Sequence, residues 1–293
     1  MNETNTAKTV IALGNFDGVH IGHASLIKIC VEKAEALGCR PMIWTFERHR
    51  FSPPYIIDKS DKLGLFQKFG IDSVEFADFN AIRSLTPRQF VSEVLIGRHN
   101  CICAVCGFNF RFGRDRSGGC DTLRELCAEY GIECTVCDEV SYMGQPVSST
   151  RIRKALEDGD TEAVRAMLGR PYTISLPIVA GRQVGRRLEM PTMNQRFPDG
   201  MVIPKNGVYA GRVTIDRKVY ACVTNIGVRP TFDDGNGIVC ESHILGLSGD
   251  LYGKNIPLEL VSYLRGEIKF EKPEQLVEQI KRDIIAAKEI IGI

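Results

Sequence analysis

The feature that most constrains this chain is Gly14-Asn-Phe-Asp-Gly-Val-His-Ile-Gly-His23, set between an apolar run and a segment of helical periodicity. Thr9-Val-Ile-Ala-Leu13 reads as a short buried strand, and Leu26-Ile-Lys-Ile-Cys-Val31 as part of a helix. A strand feeding a glycine turn and then a helix N-terminus makes an anion site, because free backbone N–H groups and the helix dipole point at the ligand. Glycine lets a phosphate approach the backbone, and the imidazoles of His20 and His23 can donate to charge that grows on a phosphoryl oxygen. The lysine-bearing phosphate loop is excluded, since no Gly-Lys-Ser/Thr follows. The plain alternative is a glycine-rich turn with two surface histidines.

Strand and helix alternate up to about residue 168. The candidate strands are Thr9–Leu13, Pro41–Phe46, Ser73–Phe76, Cys101–Val105 and Ile132–Cys137. The candidate helices are Gly22–Leu37, Lys59–Phe69, Pro87–Leu95 and Cys120–Tyr130, the third started by Thr86 as N-cap and Pro87. This alternation predicts an α/β domain, residues 1–168, with a parallel sheet covered on both faces. Ligands in such sheets bind beyond the carboxyl ends of the strands, where the Gly14 loop lies. From residue 169 to 293 short runs recur at turn-like intervals: Ile174–Val179, Gly207–Ile215, Val219–Asn225, Cys240–Leu247 and Ile256–Arg265. That spacing predicts a small all-β barrel. A C-terminal helix then starts at Pro273, with Leu276, Ile280 and Ile284 on one face.

Composition excludes several classes. With 44% hydrophobic and 25% charged residues in 293, the chain reads as an ordinary soluble protein. A net charge of +1 leaves no electrostatic footprint for nucleic acid. No apolar run approaches the roughly 20 residues of a membrane span, and Met1–Lys8 lacks a signal-peptide core, so the expectation is a cytoplasmic protein with no membrane partner. Among 11 cysteines, Cys103-x-x-Cys106 and Cys134-x-x-Cys137 have metal-like spacing. Both pairs fall on candidate strands, where residues three apart face opposite sides of the sheet, so no structural zinc is expected. Buried free thiols acting as small hydrophobes are the better account.

Two more segments suit nucleotide chemistry. Gly107-Phe-Asn-Phe-Arg-Phe-Gly113, continuing to Gly119, mixes rings that can stack with arginines that can grip phosphate. Read blandly, it is a surface loop with a hydrophobic anchor. Val147-Ser-Ser-Thr-Arg-Ile-Arg153 places hydroxyls and arginines at a helix start, a second anion site or simply a well-capped helix.

His20-Ile-Gly-His23 resembles the His-x-Gly-His signature of nucleotidylyltransferases. Together with Thr45-Phe-Glu47, the Gly107 and Ser148–Arg153 segments, Leu168-Gly-Arg-Pro-Tyr172, Pro191-Thr-Met-Asn194, Asn206-Gly-Val-Tyr209, Asn225–Phe232, Glu241-Ser-His243, Asp250-Leu-Tyr-Gly253 and Leu264–Phe270, it resembles the bacterial bifunctional riboflavin kinase/FMN adenylyltransferase family. The resemblance implies a Rossmann-like nucleotidylyltransferase domain followed by a kinase barrel. It implies that His20 and His23 stabilise the transferred α-phosphate, with Gly14, Phe16, Asp17, Gly22, Asn109, Arg111, Ser149, Thr150 and Arg153 binding nucleotide. Thr192 and Asn194 would hold Mg2+ and ATP, and Glu241 would act as base on the ribityl hydroxyl. Riboflavin, FMN, ATP and FAD are the implied small-molecule substrates and products.

Leu176 and Glu189 stand where the family keeps glycine. Glycine there implies positive φ or close approach to nucleotide, and Glu189 would repel phosphate, so a weak kinase is expected. Two alternatives stay open: an FMN adenylyltransferase with a docking or flavin-binding barrel, and a non-catalytic flavin-sensing protein.

Overall fold

The computed structural model describes residues 7–46, 53–179, 192–228, 237–247, 251 and 253–293. Glu47, Glu189, Pro191, residues 229–232, Asp250 and Tyr252, all part of motifs quoted above, lie outside them. The chain packs as two compact units, Met1–Pro53 with Ile57–Ser149, and Pro54–Ile56 with Thr150–Ile293.

The first unit is built on β1 (Thr9–Leu13), β2 (Arg40–Phe46), β3 (Ser73–Ala77), β4 (Cys101–Gly107) and β5 (Glu133–Cys137). They form one parallel sheet in the order β3-β2-β1-β4-β5. All five residues of β1 are buried, as a central strand covered on both faces requires. The helices are α1 (Ile21–Ala36), α2 (Lys59–Lys68), α3 (Phe79–Ile82), α4 (Pro87–Gln89) and α5 (Cys120–Glu129). The Thr86 start is present as a reciprocal capping box with Gln89. The helix expected to continue to Leu95 instead widens into a π-helical segment, Phe90–Arg98, which buries Phe90, Val91, Val94 and Leu95. Composition does not signal that change of pitch, because the apolar spacing suits either turn.

Strand order reverses between β1 and β4. The chain runs outward from β1 through β2 to β3, then returns to β4 on the other side of β1. Leu13 pairs with Trp44 on one side and Cys106 on the other, so Gly14 and the residues after Gly107 leave the sheet side by side. That is the switch point at which open α/β sheets bind ligands.

The cysteine pairs divide between the two faces. Cys106, Cys127 and Cys134 join the core cluster over one face, whereas Cys103 and Cys137 lie near Cys30 beneath α1. All 11 cysteines are free thiols, and burial pushes the Cys30 thiol up to about 12.

After the short hairpin β6 (Ser141–Tyr142) and β7 (Gln145–Pro146) come α6 (Ser149–Asp158) and α7 (Thr161–Leu168). In the second unit, β8 (Tyr172–Ile174), β9 (Ile178–Val179), β10 (Thr192–Arg196), β11 (Gly207–Ile215), β12 (Lys218–Val228), β13 (Ile238–Ile244) and β14 (Leu258–Arg265) form one antiparallel sheet. Its order is β8-β14-β11-β12-β13-β10-β9. The two edge strands are consecutive in sequence, so the sheet curls until its ends are joined by Ser175–Pro177. The run read as one strand, Ile174–Val179, is therefore two strands on opposite edges. Gln195 Nε2 donates to Leu176 O at 2.7 Å and to Ile256 O at 3.2 Å, tying this corner shut. Thr192–Arg196, read from sequence only as a motif, is a full strand.

The C-terminal helix, α8 (Pro273–Ile291), packs on β11, β12 and β14. Its inward line is Ile280, Asp283, Ile284 and Ala287, and Leu276 is exposed, which corrects the face read from the sequence. Asp283 sets that line: its carboxylate takes Arg265 Nε at 3.0 Å and Nη2 at 2.7 Å. A buried carboxylate with a two-pronged guanidinium partner holds the helix in register.

Candidate active sites

In the first unit, the chain leaving β1 turns through Phe16 (φ 51), Gly18 (φ 78) and Val19 (φ 41) before α1 begins. His20 caps that helix, its Nδ1 accepting from the His23 N–H at 3.2 Å. With Nδ1 an acceptor, the proton of a neutral His20 ring lies on Nε2, leaving a donor on the far side of the ring. The two imidazoles stack, with ring centroids 3.6 Å apart and planes 15° apart. Gly22 permits this: a Cβ there would sit 3.3 Å from the His20 ring. Burial, then the neighbouring His20 and Lys62, hold the His23 pKa well below 6.5, so the ring is neutral at pH 7. His23 Nδ1 is buried and finds no hydrogen-bond partner among the described residues, a polar atom a ligand can satisfy.

Phe16, expected among the nucleotide-binding residues, has its side chain fully buried, 5.1 Å from the His23 ring and edge-on to Phe66 at 5.7 Å. Its ring props the histidine, and any nucleotide contact falls to its backbone. Asp17 is also buried, and its carbonyl accepts from Ser149 Oγ at 2.8 Å. Two expected site residues 132 positions apart are thus brought together.

The segment after β4 folds back on itself through a bridge between Phe112 and Gly118. Phe112 is buried against Phe90, and Phe110 stacks on it at 5.6 Å, so two of the three rings expected to stack on a ligand anchor the loop instead. Phe108, Asn109 and Arg111 remain exposed. Thr150 and Arg153 belong to the second unit, where Arg153 Nη2 donates to Thr150 Oγ1 at 3.3 Å, one turn along α6.

The second unit holds another polar cluster. Thr192 Oγ1 donates to Glu241 Oε1 at 2.8 Å, and Asn194 pairs with Glu241 across the β10–β13 ladder. Glu241 also pairs with Asn225 on β12, and Thr192 with His243, so five polar side chains share one face of three adjacent strands. Alternate positions point the other way: Thr224 and Ser242 are buried and bonded to each other at 2.9 Å. Leu176, the residue in a family glycine position, has no positive φ, is buried, and accepts from Gln195 through its carbonyl. Its backbone does not demand glycine.

Residues 2–151 match the family model for FAD synthetase, and residues 168–291 match that for riboflavin kinase. The chain is 32% identical over 292 residues to the bifunctional riboflavin kinase/FMN adenylyltransferase of Bacillus subtilis, covering 94% of this chain and 90% of that protein. It is 32% identical over 293 residues to the protein of the same name from Escherichia coli, covering 97% and 93%. The chain belongs to the bifunctional riboflavin kinase/FMN adenylyltransferase family. A crystal structure described as a macrolide-efflux protein from Streptococcus pneumoniae shares the fold, with a TM-score of 0.87 and 26% identity over 97% of this chain and 95% of that one. No helix among the described residues is long and apolar enough to cross a membrane.

In the family's terms, the His20–His23 turn lies in the FAD synthetase half and the Thr192–Glu241 cluster in the riboflavin kinase half. Thr192, Asn194 and Glu241 offer oxygen donors, the hard set that magnesium takes; the Thr192 hydroxyl spends its proton on Glu241 and accepts from Asn194 Nδ2 at 3.5 Å. Among the described residues no three His, Cys, Asp or Glu side chains gather around a common point. Sequence reasoning gave no role to Lys62 or Gln195. Each belongs to no motif, and only burial of a polar side chain reveals it.

Proposed function

We propose that this chain makes FAD from riboflavin in two ATP-dependent steps, each at its own cluster. At the barrel cluster, Glu241 accepts the proton of the ribityl hydroxyl as that oxygen attacks the γ-phosphate of ATP, giving FMN and ADP. Thr192 orients the carboxylate through its 2.8 Å hydrogen bond, and Asn194 lies beside it in register. Magnesium, when bound by Thr192, Asn194 and the ATP phosphates, neutralises phosphate charge. At the loop after β1, a phosphate oxygen of FMN attacks the α-phosphate of ATP, releasing pyrophosphate and giving FAD. His20 Nε2–H and His23 donate to the phosphoryl oxygens as charge accumulates, and the turn's backbone amides add further donors. Asn109, Arg111, Ser149, Thr150 and Arg153 are the candidate ligands for nucleotide and triphosphate. We keep the boundary read from the sequence, near Leu168, where Gly169 ends α7 in a left-handed conformation, although α7 and α6 from Thr150 onward pack with the second unit. Free thiols throughout suit a cytoplasmic location.

The single observation that carries this reading is the stacked, capped His20–His23 pair at the switch point of the parallel sheet. The test is chromatography of purified protein with ATP and magnesium, given riboflavin in one tube and FMN in another. FMN and then FAD should form in the first and FAD in the second. If FMN yields no FAD, the adenylyl-transfer assignment fails.

A further inference from the structure

Lys62 is 9% exposed, yet it carries a charge and lies in none of the family-like motifs. It sits on α2, whose first turn is held by Asp58 accepting from the Asp61 N–H at 2.7 Å. Phe66, one turn further, packs edge-on against Phe16. The helix is thereby docked against the catalytic turn, and the lysine reaches into it. Lys62 Nζ donates to Asn15 O at 3.1 Å, and Asp17 of the same turn supplies an opposing charge.

A lysine this buried is a poor choice for packing alone. Burial disfavours its charged form, and methionine would fill similar space without that cost. The position explains it. A carbonyl oxygen inside an anion-binding turn repels a phosphate, and a cation on that oxygen cancels the repulsion. The same cation stands close enough to His23 to oppose its protonation. Among the described residues, the charged or titratable groups that act on His23 are His20 from the cap of α1 and Lys62 from α2, and Asp17 of the turn acts in turn on Lys62.

We propose that Lys62 is a positioning residue for adenylyl transfer, masking the Asn15 carbonyl and biasing the field at the His20–His23 pair toward an anion. This rests on the assignment of that turn to adenylyl transfer. The test uses full-length protein with FMN, ATP and magnesium, comparing Lys62→Met, Lys62→Arg, His23→Gln and the Lys62→Met/His23→Gln double variant. Riboflavin phosphorylation by the same preparations reports integrity of the other half. Lys62→Met should lower kcat on the order of 10-fold or more while KM for FMN changes little. The acid limb of its pH profile should move to higher pH, because protonation of His23 is no longer opposed. Lys62→Arg should recover most of kcat, and the limb shift should vanish in the double variant. Wild-type kcat and pH profile in Lys62→Met overturn the proposal. So does equal loss in Lys62→Met and Lys62→Arg together with a lowered melting temperature, which assigns the residue to folding alone. If His23→Gln itself has no effect, the assignment of the turn fails first, and the Lys62 proposal with it.

Discussion

Thr192 donates its hydroxyl hydrogen to Glu241 Oε1 at 2.8 Å, across two strands and 49 residues of sequence. The donation leaves the carboxylate as acceptor and aims it away from the barrel core, where Thr224 and Ser242 are bonded to each other.

If Glu241 is the kinase base, Glu241→Gln should lower riboflavin phosphorylation by roughly 10² or more and leave FMN adenylylation unchanged. Thr192→Val, which keeps the shape and removes the donor, should be impaired in the same reaction. Initial rates for the two reactions on one preparation check this, and wild-type phosphorylation by Glu241→Gln would remove it from the mechanism.

For the other site, His20→Ala and His23→Ala should each reduce FMN adenylylation by about 10² or more, the loss of one transition-state donor. His20→Ala should also weaken the start of α1 by about 1 kcal/mol, because the cap bond to the His23 N–H disappears. Steady-state rates and thermal melts separate the two effects.

The depressed pKa of His23 makes a pH statement. The unfolded chain binds a proton near 6.5, while the folded chain binds it only at lower pH. Unfolding therefore takes up a proton between those values, and stability present above 6.5 is lost as pH falls below it. Replacing His23 by Asn should flatten that acid loss in melting curves recorded from neutral pH downward.

Leu176 yields a prediction opposite to the one its missing glycine invites. With an ordinary φ and a buried side chain, Leu176→Ala should destabilise the barrel by about 2–4 kcal/mol without raising kinase activity. Glu189→Gly should still raise riboflavin phosphorylation if the carboxylate repels ATP. Denaturant melts and phosphorylation rates on the two variants discriminate packing from charge.

A chain of residues 1–168 should adenylylate FMN but not phosphorylate riboflavin. It should also be less stable than the intact protein, because Val164, Met167 and Leu168 of α7 are buried in contact with β8 and β14. Activity and melting of the fragment test both parts.

The five strands and three of the helices of the first unit were legible to within a residue or two, because Thr9–Leu13, Lys59–Lys68 and Cys120–Glu129 carry their periods and stops locally, whereas α3 and the π-helical turn were not. The strand after Pro191 was hidden, because its polar residues break the expected alternation: Gln195 faces the core, satisfied by the distant Leu176 and Ile256 carbonyls, while Thr192 on the other face bonds Glu241. The motifs themselves are local patterns of residue type, so His20, His23, Asn194 and Glu241 could be named as chemistry from sequence. What brings Ser149 to the Asp17 carbonyl, buries Phe16 instead of presenting it, and sets a lysine behind the turn is long-range packing. A side chain's neighbours depend on which strands and helices meet, and no local period encodes that. The candidate chemical residues were therefore written in the sequence as residue-type patterns, while the residues that hold them in place emerged only from tertiary contacts.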